Sequence, residues 1–152
     1  GFDVVVTTGP AEQEVALARE IEALASNKII NLAGTTSLKQ LIALCRGVDV
    51  VVGPDSGTLH IANSQGTAVV GLYAHSNPAR TGPYNNLHLV VDAYSNLLFD
   101  QKGRRSSQVP WGTRLKGKHL MEAISVDDVI EKIQLAMAQV EDLKPSASHR
   151  DA

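Results

Sequence analysis

Apolar, β-branched runs recur along this chain and alternate with segments of helical periodicity. The runs are Asp3-Val4-Val5-Val6-Thr7-Thr8, residues 28–33 (KIINLA), Asp49–Gly53, Thr67–Tyr73 and His88–Asp92. Such composition reads as strand, and its near-continuous Val/Ile character reads as burial on both faces. Between the first runs, Val15, Ala18, Ile21 and Ala25 recur at helical spacing, with Leu17 and Leu24 widening the face. Ser37 can cap a helix through Arg46 that carries Leu38, Leu41, Ile42 and Cys45 on one side, and Gly47 ends it. Thr58–Gln65 reads as a short helix stopped by Gly66. Val126, Val129, Ile130, Ile133, Met137 and Val140 stripe a final helix that Ser125 caps. Strands joined by crossover helices predict an α/β fold, a Rossmann-like parallel sheet with helices on both faces. Residues 1–143 are expected to form this domain, with residues 144–152 as a polar tail. Residues 94–119 are the least regular and exceed an ordinary connection, so short elements or function are expected there.

Composition narrows the function classes. A net charge of −2 over 152 residues gives no overall attraction to nucleic acid. The single Cys45 rules out a disulfide framework and a cysteine metal site within this sequence, and mildly favours a reducing, cytoplasmic setting. No apolar run approaches the ~20 residues that span a bilayer. The chain begins at Gly1, close to a strand, and reads as a domain with residues missing upstream.

Gly53-Pro54-Asp55-Ser56-Gly57-Thr58-Leu59-His60 lies between a strand and a helix, where open α/β sheets bind ligands. Helix-start N–H groups favour an anion, a carboxylate can take sugar hydroxyls or a cation, and Gly57 allows close backbone approach. The competing reading is that Asp55 or Ser56 only caps the helix. Glu14 has a simple reading as a first-turn carboxylate that complements the helix dipole, and His60 as a structural histidine. Arg80 can clamp an anion or lie solvated. Lys102, Arg104, Arg105, Arg114, Lys116, Lys118 and His119 surround Trp111, with no Asp or Glu between Gln101 and Met121. That stretch suits anionic headgroups or a phosphorylated acceptor, or is a solvated loop.

The block D-S-G-T-L-H-I-A after V-V-V-G-P resembles the signature of glycosyltransferase family 9, typified by lipopolysaccharide heptosyltransferases. The resemblance continues through Gly66–Tyr73 and Asn77-Pro78-Ala79-Arg80-Thr81-Gly82-Pro83-Tyr84, and upstream through Gly9–Glu14 and Asn31–Leu38. It covers roughly residues 1–142. Where the family usually has a Gly-Pro-Thr-Asp-Pro type of run, this chain has Ala74-His75-Ser76-Asn77-Pro78.

The resemblance implies the C-terminal, donor-binding lobe of a two-lobed (GT-B) enzyme. Glu14 would hold the ribose hydroxyls and Thr35, Thr36 and Ser37 would flank the base. Asp55 would hold the transferred sugar, while Ser56, Gly57 and Thr58 would face the diphosphate. His60 would support that loop or the leaving phosphate, and Ser76 and Arg80 would lie on the donor side. The implied reaction is inverting transfer of heptose from ADP-heptose to a lipopolysaccharide core/lipid A acceptor. The catalytic base is expected in a missing N-terminal lobe, so the chain alone is expected to bind nucleotide weakly and transfer nothing. No metal and no cofactor beyond the ADP-sugar substrate are expected. The implied location is cytoplasmic, at the inner face of the inner membrane, with the Lys102–Lys118 region touching anionic lipid. A nucleotide-sugar epimerase of similar architecture is the nearer alternative. A receiver-like signalling module is the further one, because an acidic pair after the first strand and a Lys after the last are missing.

Overall fold

In the computed structural model of the chain, residues 2–143 are described. The expected polar tail at 144–152 lies outside them. The chain divides into two compact units, Gly1–Ala43 and Leu44–Ala152, and the division falls inside a helix.

In the first unit, β1 (Val4–Val6) pairs in parallel with β2 (Ile29–Asn31), Val5 opposite Ile30. The crossover is α1 (Glu12–Leu24). Ala18 is fully buried and Val15 and Ala25 are half-buried, as helical spacing requires, whereas Ile21 of the same expected face is 43% exposed. Leu17 and Leu24 do not widen this face. They are 56% and 85% exposed, because they fall on a sector of the helix turned from the face that carries Ala18. α2 (Leu38–Gly47) follows, and Ser37 caps it in a reciprocal box. The Ser37 Oγ accepts from the Gln40 N–H, and Gln40 Oε1 accepts from the Ser37 N–H.

The second unit contains β3 (Val50–Pro54), β4 (Ala68–Tyr73) and β5 (Val91–Asp92), all parallel in the order β3-β4-β5. Val52 lies opposite Val70 and Gly53 opposite Gly71. The central strand is the buried one: Val69, Val70 and Tyr73 are inaccessible, whereas Val52 at the flank is 43% exposed. Burial on both faces therefore holds for β4 and not for every strand. The run 88–92 is only partly a strand, since residues 84–89 wind as 3-10 turns before β5.

α3 (Gly57–Ser64) joins β3 to β4 and ends at Gly66, whose φ of +79° is the left-handed conformation that glycine adopts cheaply. α4 (Pro78–Thr81) is one turn, capped by the Asn77 carboxamide oxygen accepting from the Ala79 N–H at 3.0 Å. The irregular region has its own order. It opens with α5 (Tyr94–Lys102), and Tyr94, Leu98, Leu115 and Leu120 form a core with Ala74 and Ala93. α6 (Val126–Leu143) packs Ala136 and Ile133 with Val70 and Leu89. The Ser125 Oγ accepts from the Asp128 N–H at 3.1 Å, the expected cap. Val126 and Ile130 of the stripe stay exposed beside a groove of about 430 Å³ that Leu72, Met121 and Ile124 also line.

Candidate functional site

In the first unit the loops after β1 and β2 are stitched together. The Gly34 N–H donates to the Thr8 carbonyl at 3.2 Å, and the Thr7 and Thr36 hydroxyls are 3.2 Å apart. Gly34 has a φ of +70°, and a Cβ there would stand 3.0 Å from Val15 Cγ2, so both torsion and packing require glycine. Glu14 is exposed and folds its carboxylate over Gly9, where an added Cβ would lie 2.9 Å from Oε2. Thr35 spends its hydroxyl on the Leu32 carbonyl, and Ser37 spends its own on the helix cap with Gln40. Glu14 thus keeps an exposed carboxylate over Gly9, while the Thr35, Thr36 and Ser37 hydroxyls are engaged in shaping the loop.

In the second unit the site is built on Asp55, at the end of β3. Its side chain is 17% exposed and its Oδ2 is a hub. The Ser76 hydroxyl donates to it at 2.7 Å and the Thr81 hydroxyl at 3.0 Å. The Arg114 guanidinium approaches the same oxygen at 3.4 Å, and His60 Nε2 stands 3.6 Å from Oδ1. A carboxylate held by two hydroxyls and an arginine is pre-oriented, with Oδ1 toward the half-exposed His60.

This geometry answers the capping question. Ser56 occupies the cap position of α3 without making a side-chain cap bond, and Asp55 turns to Ser76 and Thr81 instead. The first N–H groups of α3, from Gly57 and Thr58 onward, keep the partial positive charge of a helix start that faces an anion well. Gly57 has open space where a Cβ would be. Ser76, expected on the donor side, is 3% exposed and serves Asp55.

Tyr73 supports the hub from below. It is fully buried and donates to the Thr81 carbonyl at 2.7 Å, which fixes the residue whose hydroxyl reaches Asp55. Burial, and then the Asp55 charge, push the Tyr73 phenol up to about 12, against the opposing effect of the Thr81 side chain. It therefore stays a donor throughout ordinary pH. Gly71 makes room for its ring, since a Cβ there would lie 2.7 Å from Tyr73 Cε2.

Arg80 is exposed, and a Cβ at Gly112 would stand 3.6 Å from its Nη1. Lys102, Arg104, Arg105, Lys116, Lys118 and His119 are exposed, with Trp111 61% and Phe99 56% exposed in the same region. Arg114 leaves that stretch to join Asp55. What the sequence did not show is that Tyr73, Thr81 and Arg114 converge on Asp55. Thr81 had a signal, since it lies one turn after the Asn77-Pro78 helix start. Arg114 had none, being 59 positions from Asp55. Among the described residues there is no cluster of three or more His, Cys, Asp and Glu able to hold a metal ion, and no helix long and apolar enough to cross a membrane.

Known proteins resemble this chain in sequence and in fold. The chain is 48% identical over 133 residues to the lipopolysaccharide core heptosyltransferase OpsX of Haemophilus influenzae, covering 88% of this chain and 38% of that protein. It is 29% identical over 87 residues to lipopolysaccharide heptosyltransferase 3 of Escherichia coli, covering 57% of this chain and 26% of that one. The chain thus spans well under half the length of these relatives. The solved structure of the E. coli ADP-heptose lps heptosyltransferase II superposes with a TM-score of 0.66 at 23% identity, over 93% of this chain and 38% of that one. A glycosyltransferase family 9 structure from Veillonella parvula gives 0.66 at 21% identity, over 91% and 38%. Both share the α/β, Rossmann-like fold. Residues 1–108 match the sequence profile of glycosyltransferase family 9 (heptosyltransferase), with the Asp55 loop and Arg80 inside the match and Arg114 beyond it. The chain therefore belongs to glycosyltransferase family 9, the heptosyltransferase family.

Proposed function

We propose that residues 1–143 are the donor-binding lobe of an inverting heptosyltransferase that uses ADP-heptose and builds the lipopolysaccharide core. The observation that carries this reading is the Asp55 hub, a fixed carboxylate beside the uncapped start of α3. A carboxylate orients sugar hydroxyls, and helix-start N–H groups stabilise a departing diphosphate. We assign Asp55 to the transferred sugar, and Ser56, Gly57 and Thr58 to the diphosphate. His60 and Arg80 lie on the leaving-group side. In the first unit we assign Glu14 to the ribose hydroxyls and the Thr35–Ser37 loop to the base. In the reaction, an acceptor hydroxyl attacks the anomeric carbon, the bond from that carbon to the phosphate oxygen breaks, and ADP leaves. The acceptor proton passes to a base supplied from outside these residues.

Titration of the chain with ADP and with UDP, followed by heat or chemical shifts, tests the nucleotide assignment. ADP is expected to bind weakly yet more tightly than UDP, with shifts at Glu14 and Gly57. Equal binding of the two, or none, would remove the support for an ADP-sugar donor.

The acceptor is a membrane lipid, which gives the basic stretch a second role. We propose a cytoplasmic protein that rests on the inner face of the inner membrane through Lys102, Arg104, Arg105, Lys116 and Lys118, with exposed Trp111 and Phe99 at the headgroup level. Each such charge contributes about 1 kcal/mol near an anionic surface. Co-sedimentation is expected with vesicles containing anionic lipid, and it should vanish at high salt. Equal binding to neutral vesicles would count against electrostatic docking.

A further inference from the structure

The segment carrying Arg114 is built into the Asp55 site at fixed points. The Tyr94 hydroxyl donates to the Thr113 carbonyl at 2.9 Å, and the Leu115 N–H donates to the His75 carbonyl at 2.9 Å. Leu115 itself is buried in the core with Tyr94 and Leu98. The backbone on both sides of residue 114 is therefore held by the fold. Leu115 is buried, whereas the Arg114 side chain is exposed and its guanidinium meets Asp55 Oδ2 at 3.4 Å. Gly112, two residues earlier, lies under the Arg80 guanidinium. The segment thus carries the Arg114 guanidinium to Asp55 and runs beside that of Arg80.

The charge arithmetic explains why a cation belongs there. A carboxylate suited to sugar hydroxyls would repel a diphosphate bound beside it, and the repulsion is least screened where water is excluded. An arginine paired with that carboxylate cancels the charge and keeps further N–H groups for the anion. Arg114 is 63% exposed, so those groups face open solvent.

We propose that Arg114 is a donor-binding residue that neutralises Asp55 and presents its remaining N–H groups to the diphosphate of the nucleotide-sugar. This rests on the reading of the Asp55 loop as the donor site. It goes beyond the family match, which ends at residue 108, and it makes residues 109–115 part of the site.

The test is calorimetric titration of the full chain with ADP. The variants are Arg114→Gln, Arg114→Lys and, as a charge-matched control, Arg46→Gln in the last turn of α2. Arg114→Gln is expected to weaken ADP about tenfold, Arg114→Lys less, and Arg46→Gln not at all. Raising salt from about 50 to about 300 mM should weaken the parent chain more than Arg114→Gln. Thermal unfolding midpoints of all variants should stay within a few degrees of the parent. If Arg114→Gln binds ADP like Arg46→Gln, the assignment of Arg114 is overturned and the donor site stands. If Arg114→Lys binds as poorly as Arg114→Gln and both unfold early, Arg114 is structural and the assignment again falls. If the parent chain binds no ADP, the donor-site reading and this inference fall together.

Discussion

Gly82→Ala is expected to destabilise the second unit by about 2–3 kcal/mol, the upper range for overpacking. A Cβ at Gly82 would stand 2.3 Å from the Pro78 carbonyl oxygen and 2.6 Å from Leu87 Cδ2. The Gly82 backbone, at φ −67° and ψ 160°, is open to any residue, so the cost is steric rather than torsional. The carbonyl cannot simply retreat, because it accepts the Gly82 N–H at 2.8 Å and closes α4. Relieving the clash means opening that turn. Thr81 sits next to it, and its hydroxyl and carbonyl serve Asp55 and Tyr73. The substitution should therefore loosen the hub as well as the fold. Urea unfolding checks it, with Gly47→Ala as the comparison, because nothing lies within 4 Å of a Cβ at Gly47. Matching midpoints for the two variants would show that the turn yields cheaply.

The parts of this fold that could be read from sequence are those fixed by local chemistry. Val/Ile runs marked the strand cores, and glycine at Gly66 and serines at Ser37 and Ser125 marked helix ends, because each acts within a turn of itself. The stretch 94–119 stayed opaque. α5 has apolar residues spread around it, and what orders the region is Leu115 and Leu120 packing against Tyr94 and Leu98, a pairing that leaves no periodic trace. The same distinction holds in the site. Asp55 was legible because strand, acid, hydroxyl and glycine are adjacent. Ser76 and Thr81 were visible as motif residues, yet their service to Asp55 depends on how β4 and α4 place them beside β3. Arg114 was visible only as one charge of the basic stretch, since only the folded segment around Leu115 brings it to Asp55. The stripe on α6 shows the opposite error. Helical spacing placed Val126 and Ile130 in the apolar stripe, and they are exposed, because periodicity reports which face is apolar and not what covers it.

Asp55→Asn is expected to leave the fold nearly intact while lowering sugar transfer by the full-length enzyme about a hundredfold, the scale of a misplaced reacting group. The amide keeps an oxygen that can accept from the Ser76 and Thr81 hydroxyls. It removes the charge that draws Arg114 and that would hold the sugar hydroxyls. Asp55→Ala should differ in kind. It strands the Ser76 hydroxyl, 3% exposed, without its acceptor, and a loss of about 1–3 kcal/mol of stability follows. A spectroscopic reporter separates the charge from the fold. The Asp55 charge helps hold the Tyr73 phenol near 12, so Asp55→Asn should lower that value while burial still keeps it above the usual 10. Because the folded phenol is the weaker acid, its contribution to stability is complete below pH 10 and is lost as the pH rises through about 12. In Asp55→Asn that loss should be smaller and complete at lower pH, readable as earlier tyrosinate absorbance in the folded protein. Wild-type transfer by Asp55→Asn would remove Asp55 from the donor site. An unmoved Tyr73 titration would show that the carboxylate does not sense the phenol beneath it.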